Sequence, residues 1–326
     1  MALSTFAHDL LAHMRLAFAT AISAHGLDED LPLLLKACAE AGIAASVLAW
    51  DDPTVSWSRF DAVLLRSTWD YTERLVPFLA WCERVDRVTT LLNPLPVLRW
   101  NTDKHYLADL QGAGVPVVAS VFVEADAEPL PAVQAFLSTF ADAAEFVVKP
   151  AVGAGSRDTQ RYARAQAFAA ANHVGRLLAS GRSVLLQPYL PSVDVDGETS
   201  LLYFDGEFSH AIRKGPLLRP DEGPTSHLFA AEAITTRTPG EDELAVGSDV
   251  LAALQAQLGL ETTLPYARVD LIRSPEGQPQ LLELELAEPS LFFAHGPGAA
   301  ERFVERLCAR LRLPDATNSR HSSASR

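Results

Sequence analysis

Between residues 264 and 291, apolar and polar positions alternate in two runs separated by Pro275-Glu276-Gly277, the pattern of a β-hairpin. Successive strand side chains point to opposite faces, so Leu282, Leu284 and Leu286 share one face of the second strand, and Glu283 and Glu285 the other. On the first strand Arg268 and Asp270 share a face. If the hairpin folds these faces together, three carboxylates converge beside one arginine. Carboxylates crowded in this way repel unless cations neutralise them. A hard dication held by oxygen ligands is one answer; a solvated polar face on a half-buried sheet is the other.

The remaining pattern reads in chain order. Met14 opens a strand, RLAFATA, followed by a helix over 31–41 that Asp28 or Asp30 can cap and Gly42 ends. Strands follow over 45–50 and 61–66, the second apolar throughout, like a strand buried on both faces. This order implies a small α/β domain with a mostly parallel sheet. After a helix over 76–85, Asn101 or Thr102 can cap a helix over 103–111, which places Lys104 in a first turn, against the helix dipole. Strands are predicted over 115–123, 146–150 and 183–187, and helices over 130–140 and 168–180. Asp205-Gly206 joins strands over 198–204 and 207–213 in a tight hairpin. Residues 215–238 are polar and aperiodic, a long loop able to act as a lid. Helices over 242–258 and 301–311 complete the chain. Residues 1–13 read as an extension and 314–326 as a disordered tail.

Composition narrows the functional classes. A net charge of −14 without a basic cluster argues against a nucleic-acid partner. No apolar run reaches the length of a membrane span, and no signal peptide is apparent. Cys38, Cys82 and Cys308 form no ligand spacing and suit a reducing, cytoplasmic setting. Only four lysines occur among 27 basic residues: Lys36, Lys104, Lys149 and Lys214. In an arginine-rich chain a retained lysine suggests a point charge for phosphate oxygens, although Lys36 reads as helix surface.

The candidate chemistry gathers at strand ends. Phe146-Val147-Val148-Lys149-Pro150 feeds Gly153-Ala154-Gly155-Ser156, small residues whose backbone can approach an anion; a plain turn is the alternative. Arg213 and Lys214 lie together at another strand end, either solvated or meeting anionic oxygens. Arg66, Asp70 and Tyr71 follow a buried parallel strand, where open α/β sheets bind ligands, and could grip a small zwitterion. A helix start with a packed Trp69 is the alternative there.

Lys104, the Lys149 strand with its glycine loop, Gln187-Pro188-Tyr189, and Arg268/Asp270 with Glu283-Leu284-Glu285 together resemble the ATP-grasp carboxylate–amine ligases. The resemblance implies an N-terminal Rossmann-like α/β domain (14–95) followed by a two-subdomain ATP-grasp module (96–190 and 191–313). It implies that Lys104 and Lys149 reach ATP phosphates and that Gly153, Ala154, Gly155 and Ser156 close over them. Gln187, Pro188, Tyr189 and Leu190 would face adenine. Asp270, Glu283 and Glu285 would hold two Mg2+ ions, and Arg268 with Arg213 or Lys214 the transferred phosphate. Many relatives carry asparagine where Glu285 stands. Ser290, in the run after the hairpin, is a further substrate candidate. The implied activity phosphorylates a small amino acid's carboxylate and joins it to nitrogen, within one molecule or between two. The implied partner is that small molecule, with room for a homodimer. A nucleotide-binding module without catalysis is the competing reading.

Overall fold

A computed structural model describes residues 14–220, 222–223 and 233–312. The expected extension (1–13) and tail (314–326), and residues 221 and 224–232 of the expected lid, lie outside the described residues.

The first unit runs β1 (Arg15–Thr20), α1 (Leu31–Glu40), β2 (Ala44–Ala49), β3 (Ala62–Leu65), α2 (Leu75–Asp86) and β4 (Thr90–Leu92). These four strands form a parallel sheet in the order β2-β1-β3-β4. β3 is buried at every position, as its unbroken apolar run requires. The chain continues through α3 (Leu95–Asn101), α4 (Tyr106–Gly112), β5 (Val121–Val123), α5 (Pro129–Thr139), β6 (Glu145–Pro150), β7 (Gln160–Ala163), α6 (Ala167–Ala179) and β8 (Val184–Pro188). Strands β5-β8-β6-β7 make an antiparallel sheet backed by α5 and α6.

The last stretch holds α7 (Ser192–Asp196), β9 (Glu198–Phe204), β10 (Glu207–Lys214), β11 (Ile234–Arg237), α8 (Glu241–Leu258), β12 (Tyr266–Arg273), β13 (Pro279–Glu285) and α9 (Ala299–Arg312). Its five strands are antiparallel, ordered β11-β10-β9-β12-β13. Asp205 and Gly206 both have positive φ, 52° and 80°, as a two-residue hairpin turn needs. α9 buries Phe303, Val304 and Leu307 in a core shared by β1, α1 and the five-stranded sheet.

The structure revises several expectations. The helix expected over 103–111 begins only at Tyr106, and Lys104 sits in the turn between α3 and α4 with its amide on Ala151 O (3.0 Å). The helix-dipole argument for Lys104 therefore falls. Asp28 and Asp30 do not cap α1 with their side chains, which are engaged elsewhere. The run over 115–123 is divided between two sheets. Pro116 O and Val118 N bond Leu281 of β13, whereas Val121–Val123 pairs with β8. β4 and β7 were not expected, and β11 occupies part of the expected lid.

β13 is an edge strand, and side chains cover its open edge. Asn101 donates to Leu284 O and accepts from Leu286 N (both 2.7 Å), Tyr106 accepts from Leu284 N (2.9 Å), and Asn93 donates to Leu286 O (2.7 Å). An exposed row of backbone groups would otherwise invite another chain. These bonds also fix the strand that carries Glu283 and Glu285.

Candidate active site

A cavity of about 850 Å3 opens between the antiparallel four-stranded sheet and the five-stranded sheet. From the first come Lys149, Gly153, Ala154, Gly155 and Ser156, and Gln187, Pro188, Tyr189 and Leu190; Lys104 joins them from its turn. From the second come Lys214, Arg268, Asp270, Glu283 and Glu285, with Glu288 and Ser290 just beyond β13.

The hairpin register places Arg268 opposite Glu285 and Asp270 opposite Glu283. The expected gathering of charge is real, but the carboxylates do not stand bare. Lys214 Nζ meets Asp270 Oδ2 at 2.7 Å, and Arg268 Nη2 meets the same oxygen at 3.0 Å. Arg268 also pairs with Glu285, and Lys104 Nζ with Glu283 Oε1 at 2.9 Å. Burial would raise the Asp270 carboxyl, yet Arg268 and Lys214 hold it far below its usual range. Burial would raise Glu283 too, but Lys104 and Lys149 hold it below its usual range. Glu285 is pushed up to about 7, chiefly by burial, against the pull of Arg268. Burial brings Lys149 down to about 8, with Glu283 opposing and Lys104 assisting.

Asp270, Glu283 and Glu285, with an arginine beside them, are the expected ligands of two Mg2+ ions. Among the described residues, no three His, Cys, Asp or Glu side chains are grouped closely enough to hold an ion. Lysine and arginine stand between them, because buried carboxylates require nearby positive charge. Hard oxygen donors facing a cavity nonetheless suit Mg2+, which usually takes one or two carboxylates and completes its shell with substrate phosphates and water.

Another part of the lining is apolar. Val118, Val147, Ile272 and Leu282 cluster with Tyr189 and Leu190, a slot suited to a flat heterocycle. The polar ends of the expected adenine segment are engaged within the protein. Gln187 donates to Ser120 Oγ (2.8 Å), the Tyr189 hydroxyl to Asp194 (2.6 Å), and Arg161 lies over the Tyr189 ring at 3.6 Å. In the glycine loop, Lys104 Nζ donates to Gly153 O (2.8 Å), and Gly155 and Ser156 have φ of 59° and 57°.

Three expected site residues lie elsewhere. Arg66 is 1% exposed and does not reach the cavity. Its guanidinium bonds Asp28 (3.1 and 3.2 Å), Asp30 (3.0 Å) and Pro289 O (3.0 Å). Asp70 accepts from Trp50 Nε1 (2.9 Å) and pairs with Arg74. Arg213 turns back to the Val195 and Asp196 carbonyls, while the next residue, Lys214, faces inward, as strand alternation dictates. Tyr71 and Ser290 do line the cavity. Glu288 also lines it and was not singled out; the carboxylate at the exit of an already acidic strand, just before Pro289, was the available signal.

This architecture and cavity define an ATP-dependent ligase of the ATP-grasp fold. Residues 16–93 match the family described as D-cycloserine synthetase DcsG, N-terminal domain. The chain is 49% identical over 286 residues to the cycloserine biosynthesis protein DcsG of Streptomyces lavendulae, spanning 88% of this chain and 95% of that protein. The crystal structure of D-cycloserine synthetase DcsG matches with a TM-score of 0.87 and 47% identity, over 91% of this chain and 100% of the other. The ATP-grasp ligase PsnB, solved with a phosphomimetic variant of its minimal precursor, Mg and ADP, shares the fold at 18% identity. Its TM-score is 0.58, over 91% of this chain and 98% of that one. The chain belongs to the DcsG family of ATP-grasp ligases. ATP-grasp ligases use ATP and Mg2+. Among the described residues, no helix is long and apolar enough to cross a membrane.

Proposed function

We propose that this ligase activates the carboxylate of a small amino acid as an acyl phosphate, and that an internal nitrogen of the same molecule displaces the phosphate. O-ureido-serine is the substrate: its oxygen-bound nitrogen closes the ring with loss of phosphate, and hydrolysis of the carbamoyl group, released as ammonia and carbon dioxide, gives cycloserine, an antibiotic. The observation that carries this reading is the meeting of four cations and three carboxylates from two sheets in one cavity, beside an apolar slot. The resemblance to proteins named for cycloserine supports the choice of substrate.

A carboxylate resists amines at neutral pH because its leaving group is poor. Phosphorylation supplies a better one, and that transfer needs positioning and charge neutralisation more than covalent help. Lys104 and Lys149 hold the nucleotide phosphates under the Gly153–Ser156 loop, and Arg268 and Lys214 hold the phosphoryl group in transfer. Asp270, Glu283 and Glu285 would hold two Mg2+ ions, which neutralise phosphate oxygens when bound. The apolar slot excludes water and orients adenine. Segments 14–95, 96–190 and 191–313 act as the amino-terminal and two ATP-grasp domains of a cytoplasmic enzyme, with a homodimer as its assembly.

The test is incubation of pure protein with ATP, Mg2+ and O-ureido-serine. ADP and phosphate should appear, with cycloserine as the product by mass spectrometry. If ADP appears only with pairs of amino acids, ring closure is wrong and the ligase class stands.

A further inference from the structure

Glu288 lines the cavity and is 7% exposed. The hydroxyl of Tyr71 hydrogen-bonds its carboxylate. Among the described residues no lysine or arginine forms an ion pair with Glu288, whereas Asp270, Glu283 and Glu285 each have one. A buried carboxylate without a counter-ion is costly. Burial first, and Glu285 next, push Glu288 up to about 8, with Lys104 opposing.

The backbone carrying Glu288 is held on several sides. Trp69 Nε1 donates to Glu288 O (3.3 Å) and Arg66 to Pro289 O (3.0 Å). Asp30 accepts the amides of Leu291 (2.6 Å), Phe292 (3.2 Å) and Phe293 (2.9 Å). The side chain is therefore aimed into the cavity by a fixed support, as a recognition group must be. Lys104, Lys149, Lys214 and Arg268 attract the phosphates and the substrate carboxylate. A zwitterionic substrate must direct its positive end away from those cations, and the buried carboxylate lacking one stands ready for it.

We propose that Glu288, oriented by Tyr71, receives the α-ammonium group of the amino-acid substrate and is the residue that selects an amino acid over a plain carboxylic acid. This rests on the amino-acid ligase reading above. A site built around a charged hydrogen-bonding group rejects a ligand lacking its complement far more strongly than an apolar pocket does.

The experiment compares O-ureido-serine with its deaminated analogue, 3-(ureidooxy)propanoic acid, in wild type, Glu288→Gln and Tyr71→Phe. Wild type should favour the amino acid by roughly 100-fold or more in kcat/KM. Glu288→Gln should raise its KM by about 10–100-fold while changing kcat and the KM for ATP little, and should collapse the preference to a few-fold. Tyr71→Phe should move the same way by less. Thermal stabilisation by Mg-ATP in each variant confirms a folded nucleotide site. An unchanged preference in Glu288→Gln, or a fall in kcat at constant KM, would overturn the assignment. Wild-type protein that releases no ADP with any amino acid would overturn the ligase reading and this inference with it.

Discussion

Asp30→Ala is the most informative single change among the residues that line the cavity from the amino-terminal unit. Its carboxylate is buried, pairs with Arg66 at 3.0 Å, and accepts three consecutive backbone amides, those of Leu291, Phe292 and Phe293. Removing one member of a buried ion pair costs about 3–5 kcal/mol. A hydrogen bond to a charged group contributes about 1.5–3 kcal/mol, and an amide left unsatisfied costs about 1–3 kcal/mol. These losses overlap, since two amides share one oxygen and Arg66 keeps Asp28. A combined loss of about 4–6 kcal/mol follows, against a typical total stability of about 5–15 kcal/mol. With a urea dependence near 3 kcal/mol per molar, the unfolding midpoint should fall by roughly 1.5 M. Tryptophan fluorescence would follow it. Where Asp30→Ala is too unstable, Asp30→Asn should show the same direction with about half the loss. The KM for the amino acid should rise with the KM for ATP nearly constant, because the released segment carries Glu288 and Ser290, not the phosphate lysines. A midpoint shift below about 0.3 M would show that Asp30 does not secure the 288–293 segment.

Other outcomes follow from the same geometry. Lys149→Ala and Glu283→Gln should each lower ADP release by at least about 100-fold in a steady-state assay while circular dichroism stays native; wild-type turnover in either would remove it from the mechanism. Arg213→Ala should leave kcat/KM within about twofold and cost about 1 kcal/mol in a thermal melt, since it bonds only backbone carbonyls outside the cavity. Glu288 rises from an ordinary carboxylate value to about 8 in the fold. Its stabilising contribution is thus complete below about pH 4.5 and is lost as pH rises through 8. Ligand-free protein should lose up to ~1.4 kcal/mol per pH unit from this group across that window, and Glu288→Gln should reduce the slope, leaving the share of Glu285, which is raised to about 7. An identical slope in the variant, measured by urea titration at several pH values, would remove Glu288 as its source.

The local half of the site was readable from sequence because period-two alternation needs no distant information. A bulge between Asp270 and Leu271, which alternation does not announce, brings the four together across the hairpin, but alternation itself put Arg268 with Asp270 and Glu283 with Glu285. The Asp205-Gly206 hairpin was legible for the same reason. Arg66 was misread because its environment is non-local: Asp28 and Asp30 lie 38 and 36 positions away, and Pro289 lies 223 positions away. A strand-end arginine looks the same whether it faces solvent, substrate or another loop. The run over 115–123 shows a further limit, since apolar alternation announces strand-like backbone but not which of two sheets it will join. Lys104 was noticed through its scarcity and through a helix-dipole argument that the structure removes, and its turn between α3 and α4 was invisible to helix periodicity.

The buried arginine clamp ties the amino-terminal sheet to the loop beyond β13, and this affects how such a protein can be re-engineered. Chimeras that exchange the first hundred residues between relatives would alter which acid is accepted without altering how nucleotide is handled. They would succeed only if the grip of residues 28, 30 and 66 travelled with the loop it was shaped to hold. Selectivity, in that sense, belongs to a joint between two parts of the chain more than to the lining of a pocket.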